Sequence, residues 1–150
     1  DALPANYAIG PKDLQAALAA QKTNVEPGDA VFIRTGTLRF WGETGADHAK
    51  LASHDSAGLN LAGARWLVEA KGAVLLGADT SGVEVGSDPA TGRVNAVHEY
   101  ALVEQGVHLG EFHFLEELAR NRVYRFVYVA MTNRIKGAAA GTALRPIAIE

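Results

Sequence analysis

Few side chains in this sequence carry reactive chemistry, and their spacing narrows what they can do. His98 opens a short helical segment, and Glu111 follows thirteen residues later, just after a strand-like run. A fold that joins this imidazole and carboxylate makes them metal ligands or an acid/base pair; a capping histidine and a solvated glutamate are the structural alternative. His113 shares a face with Glu111 if the strand continues through both, because strand side chains alternate. It is then a supporting residue, and otherwise an exposed or structural histidine. Asp79 and Thr80 end an apolar run, where the carboxylate can orient a ligand histidine or cap the next turn. His48, His54 and His108 read as ordinary loop or packed residues. Ser81, His98 and Asp79 lack the nucleophile elbow of a serine hydrolase. Residues 137–142 have neither the lysine nor the glycine spacing of a P-loop, and Arg134, Lys136 and Arg145 around them either bind a carboxylate or face solvent.

The elements that must position these groups read as one alternating α/β unit. Pro11 with Leu14, Ala17, Leu18 and Gln21 predicts a helix over 11–22, ended by Glu26-Pro27-Gly28-Asp29. Residues 30–34 form a buried strand, and 35–58 are mostly loop with one helical turn. Asn60 caps a helix with Leu61, Ala64, Leu67 and Val68 on its apolar face and Trp66 as an anchor, stopped by Gly72. A strand over 73–78 delivers Asp79-Thr80 to its carboxyl end. Turn residues over 86–95 predict an exposed stretch, followed by a helix over 98–104 that Gly106 ends. Residues 107–109 and 124–130 are strands, with a short helix over 114–119 between them. The last strand, 144–149, contains Pro146 and so belongs at an edge or a bulge.

Composition bounds the rest. A chain of 150 residues with 48% hydrophobic and 21% charged residues suits one folded domain. No apolar stretch approaches the roughly 18 residues of a membrane-spanning helix. The net charge of −3 supplies no global basic field, so neither nucleic acid nor membrane is expected as a partner. Absence of cysteine removes disulfides and thiolate ligands. No signal peptide is visible, and a cytoplasmic setting is the expectation.

Several ordered landmarks extend this reading: Pro27-Gly28-Asp29-Ala30-Val31-Phe32-Ile33-Arg34-Thr35-Gly36, Gly77-Ala78-Asp79-Thr80, Val97-His98, Gly110-Glu111, and Ile135-Lys136-Gly137 followed by Arg145-Pro146-Ile147-Ala148-Ile149. With them, residues 25–149 resemble the C-terminal portion of the cyclase-like metal-dependent hydrolases, a family that includes bacterial kynurenine formamidase and isatin hydrolase. The resemblance implies a compact α/β fold with a mixed, barrel-like sheet, incomplete at its amino terminus. It implies that His98 and Glu111 are catalytic and metal-binding, with Asp79 in a supporting place. It further implies a divalent cofactor, zinc or manganese, and a small carbonyl substrate: an amide, lactam, ester or lactone. The family's usual His-x-Gly-Thr-His-x-Asp motif lies upstream of the matched region, and no segment here supplies it. Near the last strand the chain has Gly141-Thr142-Ala143 where the family carries a Gly-Ser-Pro-like segment. The expected partner is therefore a missing N-terminal segment or second chain, and a homo-oligomer is expected. The alternative is a non-catalytic structural or ligand-binding subunit that keeps the fold.

Overall fold

The computed structural model describes residues 2–42, 47–51, 55–137 and 141–150. Its centre is a three-stranded parallel sheet in the order β2 (Ala30–Ile33), β4 (Leu75–Ala78), β5 (His108–Gly110). Ala30 pairs with Leu75 and Ile33 with Ala78, while Leu75 pairs with His108 and Gly77 with Gly110. Parallel pairing forces crossover connections and puts every carboxyl end on one side of the sheet. Arg34-Thr35, Asp79-Thr80 and Glu111 all follow those ends.

Helices make the crossovers. α1 (Pro11–Gln21) begins with proline at its first position, and the Asp13 carboxylate accepts from Gly10 N–H at 2.9 Å. Asn60 caps α3 (Leu61–Arg65) by accepting from Gly63 N–H at 2.8 Å, and the helix continues as π-helical turns over Trp66–Ala70. α4 (Ala96–His98) likewise widens into π-helical turns over Glu99–Gln105 and ends on Gly106 at φ 66°. Leu59, Leu67, Leu76, Val83, Val97 and Tyr100 form the fully buried centre between these layers. Burial and the Glu69 hydrogen bond push the Tyr100 phenol up to about 12.

Around this centre lie a parallel pair, β1 (Ala8–Ile9) with β3 (Gly58–Leu59), and an antiparallel ribbon, β6 (Val127–Val129) with β7 (Ile147–Ile149). Residues 35–58 hold a 3-10 turn over Thr37–Phe40 and the short α2 (His48–Leu51), and α5 (Glu116–Asn121) precedes the ribbon. The α/β class with mixed strand directions is as the sequence implies. The described strands form three separate ladders, not a closed barrel. The strands expected over 124–130 and 144–149 contract to three residues each, and Pro146 stands immediately before β7 because it cannot donate to a ladder. The 86–95 stretch is exposed except at the half-buried Gly86 and the buried Asp88. That carboxylate turns inward to accept from the backbone N–H groups of Leu61 and Thr91, each at 2.9 Å.

Candidate functional site

The site forms where α4 meets the carboxyl end of β5. His98 begins the widened helix, and its Nε2 lies 3.3 Å from Glu111 Oε1, one residue past β5. The opposite ring nitrogen, Nδ1, is bonded to Glu84 Oε1. Glu84 also accepts from Val97 N–H at 2.7 Å through Oε2 and from His98 N–H at 3.2 Å through Oε1. One nearly buried carboxylate thus caps α4 and grips the side chain of its third residue. The His98 side chain is 30% exposed and that of Glu111 is 41%, whereas Glu84 is 7%. The Glu84 hydrogen bond raises the His98 pKa against the opposing effect of burial, and the charges of Glu84 and Glu111 add to the rise.

Asp79 is held by a different set of partners. Completely buried, it accepts from Thr35 N–H and Thr35 Oγ1 through Oδ1, and from Gly36 N–H through Oδ2, each at 2.8 Å. Its bonds therefore tie the turn after β2 to the end of β4, and none of them reaches His98 or Glu111. The same-face relation of His113 and Glu111 is broken. β5 stops at Gly110 and Phe112 takes φ 53°, so the alternation does not carry through. His113 instead turns into an aromatic pocket, with its Nε2 at 2.9 Å from Tyr128 OH and its ring 4.8 Å from that of Phe32. Burial lowers its pKa. A Cβ at Gly110 would lie 2.6 Å from His113 Cε1, so the bare α-carbon lets this ring pack beneath the turn that carries Glu111.

Glu84 joins this cluster although the sequence reading did not single it out. The available signal was a carboxylate between Val83 and Val85, an apolar setting that requires a partner for its charge. His48 packs on Trp41 with ring centroids 5.6 Å apart, His108 is exposed on β5, and His54 lies outside the described residues. A cleft of about 880 Å³ runs between α1, β2 and the α5–β6 segment, and its lining does not include His98, Glu84 or Glu111.

An imidazole nitrogen facing a carboxylate, with a second carboxylate on the other ring nitrogen, is a donor arrangement that suits a borderline divalent ion. His98 and Glu111 fit such an ion as part of a set. Among the described residues no group of three or more His, Cys, Asp or Glu side chains is gathered to complete it.

The family model described as "Putative cyclase" matches residues 1–85. Over 99% of this chain and 48% of the other, the fold is similar to the crystal structure of a novel cyclase, with 32% identity and a TM-score of 0.79. Isatin hydrolase A from Ralstonia solanacearum is similar over 97% of this chain and 54% of its own, at 21% identity and a TM-score of 0.76. Isatin hydrolase A from Labrenzia aggregata, bound to benzyl benzoate, is similar over 95% of this chain and 52% of its own, at 18% identity and a TM-score of 0.67. No curated protein sequence matches significantly. The chain spans about half the length of these solved structures. With the family model covering more than half of its residues, the chain belongs to the cyclase family.

Proposed function

We propose that the chain supplies part of the active site of a metal-dependent hydrolase acting on a small amide, lactam, ester or lactone. The observation that carries this reading is His98 clasped between Glu84 and Glu111, with Nε2 and Oε1 3.3 Å apart at a partly open surface. His98 Nε2 and Glu111 would hold the ion, zinc or manganese, together with donors from an N-terminal segment or a second chain. When bound, such an ion polarises the carbonyl and makes its water acidic.

The chain's own groups handle orientation and protons. Glu111, the more exposed carboxylate, lies beside His98 Nε2 and is placed to orient a water and accept its proton. Where His98 serves instead as an acid/base group and not as a ligand, its place between two carboxylates favours the positive charge and suits it to return a proton to the departing nitrogen or oxygen. Glu84 is nearly buried and saturated by backbone donors, so it stays with the ring rather than with substrate.

Metal content and hydrolysis of a panel containing an aryl formamide, a lactone and the lactam isatin test the reading. They are measured on the chain and on its assembly with the completing polypeptide. The assembly is expected to bind stoichiometric metal and hydrolyse one class, with both properties lost in His98→Ala and Glu111→Ala. An assembly with no metal and ligand binding indifferent to His98→Ala would instead identify a non-catalytic subunit.

Homo-oligomerisation is part of the proposal. The β6–β7 ribbon exposes Val127, Val129, Ile147 and Ile149, and open strand edges favour pairing with another chain. A monomer in sedimentation velocity would remove that element. We also place the protein in the cytoplasm, which cell fractionation checks; no described helix is long and apolar enough to cross a membrane.

A further inference from the structure

We propose that Glu84 is the positioning residue of this site: its carboxylate holds His98 as the Nδ1–H tautomer and leaves Nε2 as the nitrogen that faces Glu111. The inference rests on the reading of His98 as a functional group, and it assigns a task to a residue that the family model's match barely includes, ending at Val85.

The backbone around Glu84 is built at visible cost. Val83 is completely buried and has φ 59°, a left-handed conformation that a β-branched side chain rarely takes. The Glu84 N–H closes a tight turn onto the Gly82 carbonyl. Leu59 clamps this bend from both sides, donating its N–H to Val83 O and accepting from Val85 N–H, each at 3.0 Å. The clamp brings the Glu84 backbone against Gly58 so closely that a Cβ at Gly58 would collide with the Glu84 carbonyl. Strain, clamp and bare α-carbon together deliver one carboxylate to three donors: Val97 N–H, His98 N–H and His98 Nδ1.

A simple cap of α4 would need only the first two. The carboxylate presents an acceptor at each oxygen, one to the Val97 amide and one shared by the His98 amide and ring. Because an ionised carboxylate can only accept, the ring nitrogen that shares the second oxygen must carry a proton, which fixes the Nδ1–H tautomer of the neutral ring.

Glu84→Gln separates positioning from capping. An amide has one acceptor oxygen and one NH₂, so it cannot accept at both ends. If the oxygen stays on Val97 N–H, the NH₂ faces Nδ1. The imidazole is the one partner able to reverse its role, and it becomes the Nε2–H tautomer.

Long-range proton–nitrogen NMR on the chain with ¹⁵N-labelled histidine rings reads this directly, at a pH above the imidazole ionisation. The expected result is Nδ1–H for His98 in the wild type and Nε2–H in Glu84→Gln, with the His113 ring signals unmoved as a sign of an intact core. Gly58→Ala keeps the carboxylate but displaces its backbone, and gives a second reading if the first variant does not fold. It is expected to lose the pure Nδ1–H signature. Nε2–H in the wild type, or unaltered Nδ1–H in the folded variants, overturns the assignment.

Zinc added to the same samples separates this inference from the proposed function. Wild-type Nδ1–H with ring signals that ignore zinc, in the chain and in the completed assembly, would sink the metal reading and leave the role of Glu84 intact. Where zinc does bind, Glu84→Gln is expected to weaken it by about 10–100-fold, and equal affinity would count against positioning.

Discussion

Two buried carboxylates flank the loop that follows β4, and they hold different kinds of partner. Asp79, at the strand's end, spends both oxygens on the backbone and hydroxyl of Thr35 and on the backbone of Gly36. Glu84 divides its oxygens between two backbone amides and an imidazole that is partly open to solvent and lies beside Glu111. Similar burial therefore serves two ends. Where every partner is a fixed donor of the fold, the carboxylate acts as a structural pin; where one partner can change its protonation, the fold has a connection to chemistry.

The largest expected effect tests the structural member. Asp79→Ala leaves the Thr35 and Gly36 amides without acceptors inside a closed turn. At about 1–3 kcal/mol for each buried group left unpaired, the loss should reach several kcal/mol, read from urea unfolding. A loss below about 1 kcal/mol would break the contrast. Next comes Gly58→Ala, which drives a methyl group into the Glu84 backbone and should cost about 1–3 kcal/mol, as overpacking does. That variant should disturb the His98 ring resonances while sparing those of His113. A smaller effect is expected from Tyr128→Phe, which removes one hydrogen bond to His113 Nε2. Its cost should be about 1 kcal/mol in urea unfolding, with no change in the His98 tautomer. A changed tautomer would mean that the two histidine environments communicate.

The same contrast explains what could be read from sequence. The crossover elements were legible because their signals are local: Pro11 at a helix start, Asn60 as a cap, Gly106 as a stop, and the apolar run before Asp79. The approach of His98 to Glu111 was legible because an imidazole and a carboxylate after strand and helix boundaries are chemically conspicuous, and the family landmarks included both. Asp79 carried the same conspicuous chemistry, but its partners lie 43 and 44 residues away, and only the register of β2 on β4 selects them. Glu84 was hidden for the opposite reason. It sits inside a short apolar run, and what gives it a role is a left-handed valine and a glycine contact that no periodicity marks. His113 was misplaced because a period-two argument cannot anticipate the positive φ of Phe112.

The smallest expected effect is in the pH dependence of stability, measured with chelator present. Glu84 and then Glu111 raise the pKa of His98, so the folded chain binds that proton more tightly than the unfolded chain does. This stabilisation is complete below the unfolded value near about 6.5 and is lost as pH rises through the higher folded value. His113 has the reverse sign. Burial lowers its pKa, so its neutral ring is stable above about 6.5, and stability is lost as pH falls from there through the folded value. Urea midpoints followed across this range should show both slopes in the wild type. Glu84→Gln should flatten the alkaline slope and keep the acid one, because an amide cannot favour the imidazolium as a carboxylate does. Asp79→Asn should lower the curve with both slopes retained, since the bonds of Asp79 end on Thr35 and Gly36. If Asp79→Asn flattened the alkaline slope as strongly as Glu84→Gln, the two carboxylates would share one electrostatic unit, and their division into a structural pin and a histidine holder would fail.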